Sequence, residues 1–230
     1  VMPYQLLMAH MAARSVVPPV VRAALEAALE IALENVPALK GKIYVCTDVS
    51  GSMQAPVTGH RKGATTAVRC IDVAGLISAA MLSMNDAEVL PFDTRVVPLS
   101  IKKGQSVLAN AAKLASVGGG GTACSAPLAE LNARKAKGAL VLLVSDNESW
   151  VDGRAGGTAL MAEWELFAAR NRGAKLVCLD LAPNRSSPAL ERADVLNIGG
   201  FSDAVFGLIQ DFAADRSGQH WVEKIESMVI

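Results

Sequence analysis

The run Leu140-Val141-Leu142-Leu143-Val144 carries no polar side chain, and it sits in the clearest strand of the chain, Ala139–Ser145. A stretch this short and this apolar reads as a β-strand buried on both faces, as in parallel sheets. Ile43–Thr47 has the same character, and Lys175–Leu181 and Val195–Ile198 read as further strands. Between them, helical periodicity marks 65–84, 105–116, 127–135, 158–171 and 203–213. Ala87–Pro91 and Arg95–Leu99 are predicted strands joined around Asp93-Thr94, as a hairpin. Strands alternating with helices imply parallel pairing through right-handed crossovers. The predicted fold class is therefore α/β: a doubly wound, mostly parallel sheet with helices on both faces. Ligands of such sheets bind beyond the carboxyl ends of the strands.

Ahead of the first strand lie two helices, one over 3–13 and one opening at Pro18-Pro19 and ending near Pro37. In the second, Val21, Leu25, Ala28, Leu29, Ala32 and Leu33 form an apolar stripe opposite Arg22, Glu26 and Glu30. Residues 1–37 are thus read as a helical segment and 38–230 as the sheet domain. Val1 lies inside apolar sequence, which suggests a piece of a longer chain. In 218–230, Trp221, Ile225 and Met228 fit either a short amphipathic helix or a strand packed on the opening helices.

Composition narrows the function classes. Lys plus Arg and Asp plus Glu number 22 each. The chain therefore lacks the overall basic excess by which many proteins neutralise nucleic-acid phosphates. Arg61, Lys62 and Arg69 are the nearest approach to a basic patch, and a solvated face explains them more simply. Cys46, Cys70, Cys124 and Cys178 form no C-x-x-C pair and read as core thiols in a reducing compartment. The scattered His10, His60 and His220 make no metal cluster. No signal peptide or membrane-spanning run is visible, so a cytoplasmic protein without membrane contact is expected.

The chemistry sits where strands end. Ile43–Thr47 runs into Asp48-Val49-Ser50-Gly51-Ser52, a carboxylate and two hydroxyls at alternate positions in a turn relaxed by Gly51. Gly118–Gly121 form a loop whose backbone can pass close to another group while presenting Thr122. The strand through Leu140–Ser145 ends in Asp146. Each feature has an ordinary explanation as a cap, linker or turn. Three separate elements delivering oxygen ligands to one sheet edge are harder to explain that way. An all-oxygen set suits a hard cation, Mg²⁺ foremost or Mn²⁺, better than zinc.

In this order, Asp48-x-Ser50-x-Ser52, Thr122 and Asp146 resemble the metal-ion-dependent adhesion site of von Willebrand factor A domains. The resemblance implies that Ser50, Ser52 and Thr122 ligate the metal directly or through water, while Asp48 and Asp146 orient waters and hydroxyls. It further implies an open position for an acidic group of a protein partner. Three segments, Gly119–Pro127, Ser145–Trp150 and Gly200–Asp203, are similar to the Ro (TROVE) family. In that family a ring of helical repeats precedes the A domain and binds small non-coding RNAs. The resemblance thus implies that residues 1–37 end such a ring, and that RNA is bound by the full-length parent more than by this chain.

Rival chemistries fare worse. Ser100-Ile101-Lys102-Lys103 and Ser145-Asp146-Asn147 match two β-lactamase motifs, but Ser100 follows a strand and no Lys-Thr-Gly or Lys-Ser-Gly occurs. A haloacid-dehalogenase-like phosphatase would need a second acid where Ser50 stands. No Walker loop or dinucleotide fingerprint follows the first strand. The expected function is a non-enzymatic metal-dependent interaction module. The alternatives are a phosphatase-like hydrolase and an A domain of another lineage that mediates protein assembly.

Overall fold

A computed structural model describes residues 3–13, 17–57, 68–146, 156–183, 189–190, 192–202, 204–215 and 226, with the backbone alone for 156–158. Its centre is a five-stranded sheet: β1 (Ile43–Asp48), β2 (Ala87–Phe92), β3 (Leu140–Ser145), β4 (Lys175–Asp180) and β5 (Val195–Gly199), in the spatial order β2-β1-β3-β4-β5. Every pairing is parallel, with Ile43 opposite both Ala87 and Leu140, Leu140 opposite Lys175, and Leu176 opposite Val195. The α/β expectation holds.

Seven helices are present among the described residues: α1 (Pro3–Ala13), α2 (Pro19–Ala32), α3 (Cys70–Met84), α4 (Val107–Leu114), α5 (Ala126–Ala133), α6 (Gly156–Arg170) and α7 (Ala204–Ala213). Side chains alternate across a strand, so each face of the sheet gathers its own core. Ile43, Val45, Leu140, Leu142 and Val177 pack toward α3, α4 and α7. Tyr44, Cys46, Val141, Leu143 and Cys178 pack toward α5 and α6, around Trp164 and Phe167. None of these helices is long and apolar enough to cross a membrane.

Cys70 through Leu82 of α3 are buried, Gly75 included, which explains why that segment shows no polar stripe. A Cβ on Gly75 would lie 2.9 Å from the Ala111 carbonyl, so glycine permits the close approach of α4. Leu7, Leu29, Leu33 and Val36 of the opening segment join the same core. Glu30 accepts a hydrogen bond from the Val107 backbone N–H at 3.1 Å, tying α2 to the start of α4. Only the carboxyl half of the α2 stripe packs; Val21 stays exposed.

One expected strand is absent. Arg95–Leu99 makes a single bridge, Phe92 to Val96, instead of a hairpin. Val97 donates to the Pro91 carbonyl at 2.7 Å, but Pro91 has no N–H to return. Pro98 follows with its φ fixed, and the ladder stops there. The helix expected over 65–84 begins at Cys70, where Arg69 is the N-cap and Asp72 bonds back to it. Residues 65–67 lie outside the described residues, as does 218–230 apart from Glu226. All four cysteines are buried and free.

Trp164 is fully buried, stacked on Phe167 at 5.8 Å between ring centroids, and donates to Asp194 at 3.0 Å. Trp164→Ala is expected to lower stability by about 3–5 kcal/mol in urea unfolding, the range for deleting a large buried aromatic side chain.

Candidate metal centre

Strand order places the site. The chain leaves β1 toward β2 on one side, and β3 lies against its other side. Loops at the carboxyl ends of β1 and β3 therefore diverge, and the crevice between them is the switch point where such sheets bind ligands. Asp48 ends β1 and Asp146 follows β3.

Backbone hydrogen bonds hold the first loop in place. Val49 N–H donates to the Phe92 carbonyl at 2.8 Å, which fixes the loop to the end of β2. Gly119 N–H donates to the Val49 carbonyl at 2.8 Å, and Gly51 N–H to the Gly120 carbonyl at 2.9 Å. The glycine loop thus lies directly on the Asp48–Ser52 loop. Gly118 has φ +84°, and a Cβ there would stand 2.2 Å from the Val49 carbonyl oxygen. Here glycine is required by both conformation and space. Thr122, the next side chain with a hydroxyl, is buried.

Asp48 is fully buried, and both of its oxygens are engaged. Oδ1 accepts from the Ser50 N–H at 2.8 Å, and Oδ2 accepts from the Ser145 hydroxyl at 2.6 Å. Ser145 therefore links the β1 loop to β3. Burial pushes the Asp48 carboxyl up to about 6, against the lowering effect of its hydrogen bonds from Ser145 and Ser50, while the negative charge of Asp146 adds to the rise. The neighbouring Cys70 thiol is pushed up to about 12, by burial first and then by Asp146, Asp180 and Asp48.

Ser50 and Ser52 hydroxyl oxygens lie 3.1 Å apart. Adjacent ligands of an octahedral ion with about 2.1 Å bonds stand about 3 Å apart, so this pair matches one edge of a Mg²⁺ shell. The donors are hydroxyl and carboxylate oxygen throughout, which fits a hard cation. Among the described residues no three His, Cys, Asp or Glu side chains come together as a metal-binding group. A metal would thus rest on the hydroxyls together with Asp48 and Asp146.

The structure brings the first loop, the glycine loop and the end of β3 to one crevice. Of the three basic candidates, the structure describes Arg69 alone. Arg69 is committed: its Nε and Nη2 donate to Asp72 at 3.0 and 2.7 Å, and its Nη1 to Gln54 at 2.6 Å. Arg61 and Lys62 lie outside the described residues.

Two contributors escape a reading by ligand type. Ser145 is a lone polar residue in an otherwise apolar strand, and that mismatch was its signal. Asp93 follows β2; it accepts from Gly120 N–H at 3.3 Å, and its carbonyl accepts from Ala123 N–H at 2.8 Å. It braces the glycine loop from the far side.

The family described as the Ro60 vWA domain matches residues 42–213. The chain belongs to that family. Among solved structures, this Ro60 vWA domain is similar to the Ro (RSR) protein of Deinococcus radiodurans, at 24% identity and a TM-score of 0.75. That likeness covers 94% of this chain and 45% of the other, so the chain spans less than half of that relative's length. An aerotolerance-related membrane protein from Bacteroides fragilis matches at 14% identity and TM-score 0.49, over 75% of this chain and 98% of that one. The PilB minor pilin from Streptococcus sanguinis matches at 9% and 0.42, over 76% and 63%. No curated protein matches.

The raised Asp48 carboxyl has a signed consequence. The folded state keeps this proton to a higher pH than the unfolded chain does, so the contribution of Asp48 to metal-free stability falls as pH rises from about 4 to 6 and is constant above. Asp48→Asn removes that loss. In EDTA at pH 7.5 the variant is expected to be more stable by on the order of 2 kcal/mol, the advantage vanishing below about pH 4. Urea unfolding across that range measures it, and a pH slope left unchanged by Asp48→Asn would refute the assignment. Gly118→Ala is expected to displace the glycine loop, seen as faster amide exchange at Gly51 and Gly119.

Proposed function

We propose that this Ro60 vWA domain is a non-enzymatic, divalent-metal-dependent interaction module. Mg²⁺, or Mn²⁺ in its place, is held by Ser50, Ser52 and Thr122, with Asp48 and Asp146 orienting the shell. The observation that carries the reading is the Ser50–Ser52 pair at 3.1 Å, set by a buried Asp48 whose two oxygens already hold the surrounding loops. A bound Mg²⁺ would supply an electrophilic coordination position that a partner's carboxylate can complete.

Asp48 works as a brace. Its Oδ atoms are buried and both accept hydrogen bonds, whereas a nucleophilic aspartate needs an oxygen open to substrate. This supports a binding role over a phosphatase-like one. Metal entry also favours the ionised Asp48, so affinity falls as pH drops below about 6. Four buried thiols with no disulfide suit a reducing cytoplasm.

The Deinococcus relative is named a Ro protein, and the family assignment supports the same setting here: a Ro-like parent that engages small non-coding RNA, chiefly through parts outside this chain. The opening helices are then the end of that parent's helical region.

Calorimetric titration with Mg²⁺ and Mn²⁺ tests the site. Wild type is expected to bind, and the Asp48→Ala/Ser50→Ala double variant to lose binding by at least about tenfold. Equal binding by both overturns the reading, as does phosphoester turnover by wild type that Asp48→Asn abolishes.

A further inference from the structure

The two serine hydroxyls of the crevice are set by different parts of the molecule. Ser50 is held from the strand side: its N–H donates to Asp48 Oδ1 at 2.8 Å, and the next N–H, of Gly51, donates to the Gly120 carbonyl at 2.9 Å. Ser52 instead opens a short 3₁₀ turn, Ser52–Gln54, and its carbonyl accepts from the Ala55 N–H at 2.9 Å. Whatever fixes this turn therefore fixes Ser52. Met53, fully buried, anchors its inner side. The outer side ends in Gln54.

The outer side is tied to the start of α3. Residues 55–57 run antiparallel to 68–70: Cys70 N–H donates to the Ala55 carbonyl and Val57 N–H to the Val68 carbonyl, both at 2.9 Å, while Pro56 bridges Arg69. The Arg69 side chain strengthens this clasp. Its Nε and Nη2 grip the buried Asp72 at 3.0 and 2.7 Å, and Nη1 reaches Gln54 Oε1 at 2.6 Å. A guanidinium is a rigid planar fork, so the bidentate hold on Asp72 also aims Nη1. The helix that carries Asp72 is itself fixed to β1, where the Thr47 and Ser78 hydroxyls lie 2.6 Å apart and Ser78 donates to the Ala74 carbonyl at 2.7 Å. Arg69 thus references Gln54, and with it the Ser52 turn, to a helix anchored on the sheet.

We propose that Arg69 is a positioning residue of the metal centre: acting through Gln54, it holds the Ser52 hydroxyl at the spacing from Ser50 that a cation needs. This role rests on the metal-binding reading above. Groups that orient the ligands of a metal are worth about 10–100-fold in affinity. Two simpler roles make different predictions. If Arg69 acted only through its charge, it would repel a nearby cation, and removing it would strengthen binding. If it served only to cap α3, Gln54 would be dispensable, because the Arg69–Asp72 pair does not need it.

Calorimetric titration of the whole chain with Mn²⁺, together with amide exchange in EDTA, tests the proposal. Gln54→Ala replaces an exposed side chain and leaves the Arg69–Asp72 pair in place, so its melting temperature should stay near wild type. It is expected to bind Mn²⁺ about tenfold more weakly. Its Ala55 N–H, which donates to the Ser52 carbonyl, should exchange faster. Arg69→Lys keeps the charge but cannot serve Asp72 and Gln54 together, and should lose at least as much affinity. Gln54→Glu keeps an oxygen acceptor for Arg69 and should bind at least as tightly as wild type. In a Ser52→Ala background, Gln54→Ala should cost less than about twofold, because residues that act through one another are not additive. Wild-type or tighter binding by both Gln54→Ala and Arg69→Lys overturns the role and leaves the metal reading standing. So does a full tenfold loss in the Ser52→Ala background, which would assign Arg69 to the fold at large. Absence of Mn²⁺ binding by wild type overturns the metal reading and this role with it.

Discussion

Asp48 brings a carboxylate into a fully buried position, and the carboxyl edge of the sheet is organised around holding it there. A buried carboxylate is costly unless hydrogen bonds or a cation compensate it. Ser50 N–H and the Ser145 hydroxyl supply the first kind of compensation from β1's own loop and from β3. Those same bonds set the Ser50–Ser52 pair and tie two strands together. The residual rise of the Asp48 carboxyl, increased by Asp146, leaves room for the second kind. A divalent ion would relieve both carboxylates at once, which is why the electrostatics and the oxygen spacing favour the same occupant.

The glycine loop depends on this arrangement and also enforces it. Its two backbone bonds to Val49 and Gly51 require a contact too close for any Cβ at Gly118. Asp93 closes the loop from β2. Three strands of the sheet thus contribute to one crevice. Parallel strands make this natural, because all their carboxyl ends lie on one edge.

Much of the fold was legible because buried parallel strands leave a strong mark. Leu140–Val144 could hardly be anything else, and Ile43–Thr47 followed by Asp-x-Ser-x-Ser marked both a strand and the loop that follows its carboxyl end. The α3 boundary was harder, since a helix buried on nearly every side has no polar stripe to delimit it. Arg95–Leu99 had the composition of a strand, yet Pro91 and Pro98 removed the pairing a strand needs. In the candidate site, the oxygen-bearing residues could be nominated from residue type. Ser145 showed only as a polar residue in an apolar strand, and Asp93 not at all, because their roles depend on which strand neighbours which. Arg69 could be seen as a cation but not as one already held by Asp72 and Gln54.

The central claim is that one divalent ion sits in the crevice between β1 and β3. Crystals grown with Mn²⁺ and measured for its anomalous scattering test this most directly. The account predicts a single strong peak bonded to the Ser50 and Ser52 hydroxyl oxygens at about 2.1–2.2 Å, near Mg²⁺ distances, with Thr122 and Asp146 at its border. A peak held by other residues, or none in that crevice at saturating Mn²⁺, would contradict it.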